Sequence, residues 1–142
     1  MVDLFSVCGT FSLPIAAKSE VRAVELDKEM LSALDKGWLR ARGLKRVSLE
    51  TRDLFRRPLL PDELDRFDAA VIDPPRAGAE KQVANLCKSN IPAIAYVSCN
   101  PVTFARDAAL LIENGYDLQY VETVDQFRWS YQIELVGAFS KF

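Results

Sequence analysis

The feature that most constrains the fold of this chain is an alternation. Strand-like segments at residues 2–5, 21–26, 47–51, 69–72 and 93–97 each break into a polar turn. Helical spacing follows four of the five. Residues 11–18 can form a short helix. Asp27 can cap a helix whose Met30, Leu31, Leu34, Trp38 and Leu39 share a stripe and which Gly43 stops. Residues 79–88 and 102–113 read the same way, the second ending at Asn114-Gly115. After the third run, Pro58 and Pro61 predict a loop instead. Strands alternating with helices imply a parallel sheet covered on both faces. Runs at 118–124 and 133–139 have only a turn-rich loop between them, so an antiparallel pair is expected. There is no internal repeat, and 142 residues suffice for one domain with one good core.

Composition narrows the functional classes. No apolar run approaches the ~20 residues of a membrane span, and no charged-then-apolar leader opens the sequence. Cys8, Cys87 and Cys99 are too scattered for a disulfide framework, and with no histidine in the chain a zinc site is not expected. The plain reading of each is a reduced thiol packed in the core of a cytoplasmic protein. A net charge of −2 argues against holding a polyanion by bulk charge. A local basic face of Lys45, Arg46, Arg52, Arg56, Arg57 and Arg66 is the one candidate.

Polar residues cluster where the strands end. Asp3 and Gly9 frame the first turn, Glu25 ends the second strand, Asp53 follows the third, Asp73 ends the fourth and Cys99 the fifth. Open α/β sheets bind ligands along this edge. An acid ending the second strand can accept from both ribose hydroxyls, and one after the third from an adenine amino group. The dinucleotide signature G-x-G-x-x-G is absent after the first strand. Carboxylates here suit a cationic ligand such as S-adenosyl-L-methionine better than a dinucleotide.

Four blocks carry a resemblance. Residues 3–14 read DLFSVCGTFSLP, 67–78 read FDAAVIDPPRAG, 96–101 read YVSCNP, and 124–127 read VDQF, with Glu134 beyond. Together they resemble the RNA uracil-C5 (5-methyluridine) methyltransferases over essentially the whole chain. The resemblance implies an α/β, Rossmann-like class I methyltransferase with a seven-stranded, mostly parallel sheet and an antiparallel C-terminal strand pair. It implies Cys99 as nucleophile, Glu134 as general base, and Phe5, Gly9, Thr10, Glu25, Asp53 and Asp73 as the S-adenosyl-L-methionine site. It further implies that residues 1–142 are one monomeric catalytic domain cut from a longer protein. The RNA substrate, ribosomal or transfer RNA, would be held mainly by an OB-like and a central domain missing here. Two positions depart from the family. Val7 stands where the turn usually has glycine, and β-branched residues resist positive φ. Gln132 stands where a histidine usually precedes the base.

The implied chemistry needs one thiolate, one carboxylate and a methyl donor held in line. With no histidine to activate it, Cys99 must rely on the helix opening near Pro101, with Arg76 as a possible added charge. Arginine after Asp-Pro-Pro counts against an amino-group methyltransferase, which stacks its base on an aromatic there. A non-catalytic S-adenosyl-L-methionine-binding module, or inactive fragment, is one alternative; an unrelated cysteine enzyme is the other, disfavoured because the chain has no histidine for a Cys–His pair.

Overall fold

The computed structural model describes residues 1–125, 129–130 and 132–142. The chain forms β1 (Val2–Leu4), α1 (Ser12–Ala16), β2 (Val21–Glu25), α2 (Lys28–Arg40), β3 (Val47–Thr51), α3 (Pro61–Leu64), β4 (Ala70–Ile72), α4 (Glu80–Lys88), β5 (Ala93–Ser98), α5 (Pro101–Glu113), β6 (Asp117–Val124) and β7 (Glu134–Ser140). One sheet holds all seven strands in the order β3-β2-β1-β4-β5-β7-β6.

β1 to β5 pair in parallel, and β7 is antiparallel to both β5 and β6. The expected antiparallel pairing of β6 with β7 is therefore present. What the sequence pattern did not contain is that β7 inserts between β5 and β6. Two apolar layers sandwich the sheet. Val2, Leu4, Ile72, Ile94, Tyr96 and Phe139 meet α4 and α5 on one face, while Val21, Ala23 and Val47 meet Ala16, Leu31 and Leu34 on the other.

The helices start where local chemistry demands. Asp27 Oδ1 accepts from the Glu29 and Met30 amides at 2.8 and 3.2 Å, and Asn100 Oδ1 accepts from Val102 at 3.0 Å. The expected 58–61 loop is corrected in part, because Pro61 opens α3. Proline at a first helical position loses no needed donor, so it starts this turn of helix. Gly137 on β7 leaves room for Phe104, whose ring occupies the space a Cβ would take. The Val124-Asp125 half of the VDQF block is described; Gln126 and Phe127 lie outside the described residues.

Candidate active site

The chain runs outward from β1 through β2 to β3, then returns to lay β4 on the other side of β1. The crevice at the carboxyl ends of β1 and β4 is thus the topological switch point, where open α/β sheets bind ligands. A cavity of about 450 Å³ lies there, within the usual size of a small-molecule site.

The turn after β1 forms one wall and is conformationally costly. Phe5, Val7 and Gly9 have φ of 62°, 50° and 93°. Glycine takes such values freely, and a Cβ at Gly9 would collide with Leu34. Valine does not, so Val7 keeps the left-handed backbone of the turn without the residue that suits it. Its N–H donates to Glu25 Oε2 at 3.0 Å, while Leu26 and Asp27 donate to Oε1 at 2.7 and 3.0 Å. Three of about four acceptor sites of this carboxylate are therefore taken by backbone, leaving room for one ligand hydroxyl without rearrangement. Asp53 has a similar double duty. Its Oδ1 accepts from Phe55 and Arg56 at 3.0 and 3.1 Å, and Oδ2 faces Arg56 Nε at 3.6 Å.

Four sequence-predicted residues, Phe5, Glu25, Asp53 and Asp73, line the cavity. Gly9 shapes its turn from behind, and Thr10, Cys99 and Glu134 lie outside the cavity wall. Cys99 and Glu134 adjoin the same end of one strand pair: Ser98 pairs with Leu135, so Cys99 directly follows, and Glu134 directly precedes, the last β5–β7 partners. Cys99 is half-buried and immediately precedes the N-cap of α5. Of the other thiols only Cys87 is in the core; Cys8 is exposed in the turn, which corrects the expectation that all three pack inside. Sequence reasoning missed the apolar wall of Leu26, Met30, Leu54 and Phe55. The exposed Phe55, 5.3 Å from Phe5 between ring centroids, has no sequence signal, because it sits in a loop without periodicity.

The site's electrostatics favour a cation. Asp3 is fully buried and its pKa is pushed up to about 6, by burial first, opposed by Ser12 and reinforced by Asp73 and Glu25. Ser12 Oγ donates to Asp3 Oδ2 at 2.5 Å, but Oδ1 has no partner, and neither has Ser6 Oγ nearby in the same turn. Burial, then the charge of Glu134, pushes Asp73 up to about 6. Four mutually repelling carboxyl groups and an orphaned acceptor fit a ligand bearing ammonium and sulfonium charges.

The basic face expected from the sequence does not exist as one patch. Lys45 and Arg46 precede β3 and Arg52 follows it, and a five-residue strand separates its ends by ~16 Å. Arg46 and Arg66 line a hollow with Arg22 at the opposite sheet edge. Arg52 is tied to Glu50 and Glu63 at 3.1 and 2.8 Å. No helix among the described residues is long and apolar enough to cross a membrane.

The strand order, the antiparallel β7 and the acid-lined switch point define a class I methyltransferase fold. The family model described as tRNA (uracil-5-)-methyltransferase matches residues 1–141, and the chain belongs to that family. An uncharacterised RNA methyltransferase of Mesorhizobium japonicum is 55% identical over 141 residues, covering 99% of this chain and 34% of that protein. The 23S rRNA (uracil(1939)-C(5))-methyltransferase RlmD of Acinetobacter baumannii is 37% identical, with coverages of 99% and 31%. The crystal structure of Pyrococcus abyssi tRNA (uracil-54, C5)-methyltransferase in complex with S-adenosyl-L-homocysteine has a TM-score of 0.82 and 27% identity. It matches over 97% of this chain and 33% of that one. The chain thus spans about a third of the length of these relatives.

Proposed function

We propose that residues 1–142 form the catalytic domain of an S-adenosyl-L-methionine-dependent enzyme that methylates carbon 5 of a uridine in ribosomal or transfer RNA. The observation that supports this reading is the β5–β7 register, in which Cys99 and Glu134 adjoin the same terminal pair, Ser98 and Leu135, with Asp73 close enough to feel the charge of Glu134. On this reading thiol, base and a cation-seeking cavity share one sheet edge. The RNA is held in part by regions of the longer protein outside this chain, in keeping with the relatives' length.

Glu25, Asp53 and Asp73 would hold the cofactor, with the Phe5 and Phe55 side of the cavity receiving its apolar surface. When bound, S-adenosyl-L-methionine supplies an electrophilic methyl group. The Cys99 thiolate adds to carbon 6 of the uracil, pushing the ring's electrons onto the carbon-4 oxygen and making carbon 5 nucleophilic. Once carbon 5 carries the methyl group, Glu134 takes its proton. The electron pair of that bond restores the ring double bond, and the carbon–sulfur bond breaks to return the thiolate.

RNA containing 5-fluorouridine tests the reading, since fluorine cannot leave as a proton. A covalent adduct at Cys99, absent in Cys99→Ala, is expected. An adduct that persists in Cys99→Ala overturns the assignment. Glu134→Gln is expected to form adduct on unmodified RNA and release it slowly; wild-type turnover in that variant removes Glu134 from the mechanism.

A further inference from the structure

The loop after β4 and the junction after β5 are joined by one face of α5. Asn100 Nδ2 and Thr103 Oγ1 donate to the Arg76 carbonyl at 2.9 and 3.1 Å, and Arg106 Nη2 donates to the Ala77 carbonyl at 3.2 Å. Asp107, fully buried, completes the set. Its Oδ2 accepts from the Ala79 amide at 2.8 Å and the Tyr96 hydroxyl at 2.6 Å; its Oδ1 accepts from Arg106 Nε at 2.8 Å and is ion-paired with the same guanidinium, 2.7 Å from Nη2. One side chain therefore binds the 73–79 loop, β5 and α5 together. Gly78 belongs to the same joint. Its φ is +75°, and a Cβ there would lie 2.6 Å from Arg106 Nη2 and 2.8 Å from Asp107 Oδ2.

A buried carboxylate is costly unless it is hydrogen-bonded and paired, and here three hydrogen bonds and the Arg106 ion pair engage both oxygens. Packing alone would be served by an apolar residue. What a fully engaged carboxylate adds is direction, because its three hydrogen bonds fix three separate positions, the Ala79 amide, the Tyr96 hydroxyl and the Arg106 guanidinium. Asp73 lies at one end of the loop it holds, and Cys99 lies three residues beyond Tyr96.

We infer that Asp107 is a positioning residue that sets the Asp73 loop against the Cys99 junction for methyl transfer. This rests on the role proposed for Cys99. Asp107 touches no reacting atom; it acts through Tyr96, Arg106 and the Ala79 amide.

The test uses the full-length protein with Asp107→Asn and Tyr96→Phe, the latter removing one hydrogen bond and little volume. In Asp107→Asn, kcat is expected to fall about 10- to 100-fold, the scale of a displacement of about 1 Å at reacting atoms. The KM for S-adenosyl-L-methionine should change less than kcat, because Glu25 ends β2 and Asp53 follows β3, both away from the joint, and only Asp73 lies on the loop it holds. Tyr96→Phe should lower kcat by a smaller factor. In both, amide hydrogen exchange should quicken across residues 76–79 while α2 and β3 stay protected. Unchanged kcat in folded Asp107→Asn, or a kcat loss with uniform quickening everywhere, overturns the inference. If Asp107→Asn does not fold, Tyr96→Phe decides by the same readouts. Trapping on 5-fluorouridine RNA runs alongside. No adduct in the wild type sinks the Cys99 reading. A wild-type adduct that forms equally fast in the variants sinks the positioning role alone.

Discussion

Asp3 and Asp73 each hold a proton more tightly in the folded chain than a free aspartate would, with pKa near 6 against 3.8. Between those values the folded state binds more protons than the unfolded one, so stability of the free protein falls as pH rises through that window. A bound cation reverses the sign, because it favours both carboxylates. Affinity for S-adenosyl-L-methionine should therefore weaken by about tenfold from pH 7 to pH 5, with proton release on binding near pH 6. Calorimetry in two buffers of different ionisation enthalpy reads both effects. Asp73→Asn should flatten part of the profile, and a flat wild-type profile contradicts the account. Val7 is the other residue with an energetic signature. Holding valine at φ 50° costs about 1–3 kcal/mol, and glycine there loses about 0.4–1 kcal/mol of that gain to the unfolded chain. Val7→Gly should raise stability by about 1 kcal/mol in urea unfolding; a drop means the turn relaxes around valine by some other route.

The loop from β3 into α3 owes its shape to Arg52. Its guanidinium donates to both Glu63 oxygens at 2.8 and 2.9 Å and to the Arg57 and Pro58 carbonyls at 2.6 and 2.9 Å. That loop carries Asp53 and Phe55 into the cavity. Arg52 holds the Glu63 carboxyl down to about 2, from an ordinary 4.5. The stabilisation is thus complete above about pH 4.5 and is lost as pH falls through 2. Glu63→Gln should cost about 1 kcal/mol at neutral pH, discounted for partial exposure, and loosen the Asp53 turn in hydrogen exchange. A variant with unaltered stability contradicts this. Elements with a strong local signal were legible in the sequence. β3 matches the strand expected at 47–51, and α2 begins where the Asp27 cap said it would. α3 was hidden because its proline carries two meanings, loop punctuation and helix opening. Glu25, Asp53 and Asp73 could be placed at the cavity from strand ends alone. The partners of Asp107 could not, because Tyr96 and Ala79 are brought to it by sheet order, which no local pattern encodes.

At the scale of the whole molecule, charge limits what this chain does alone. Of its basic residues, Arg22, Arg52, Arg56 and Arg106 are spent on ion pairs with Glu50, Glu63, Asp53 and Asp107, and the net charge is −2. Residues 1–142 should therefore bind RNA weakly, with a log K against log salt slope well below that of the longer relatives. Fluorescence anisotropy of a labelled ribosomal or transfer RNA fragment measures the slope, and equal slopes contradict the prediction. The place of β7 in the sheet has a consequence in time. The ribosome delivers β6 before β7, yet β6 reaches the rest of the sheet only through β7. Until the last strand emerges and threads between its neighbours, β5 has an open edge and the thiol of Cys99 has no Glu134 beside it. Synthesis of the first 125 residues can build the acid-lined crevice, but the strand that carries Glu134 to the Cys99 end of β5 arrives only afterwards, a late and non-local closure of the kind that slows folding.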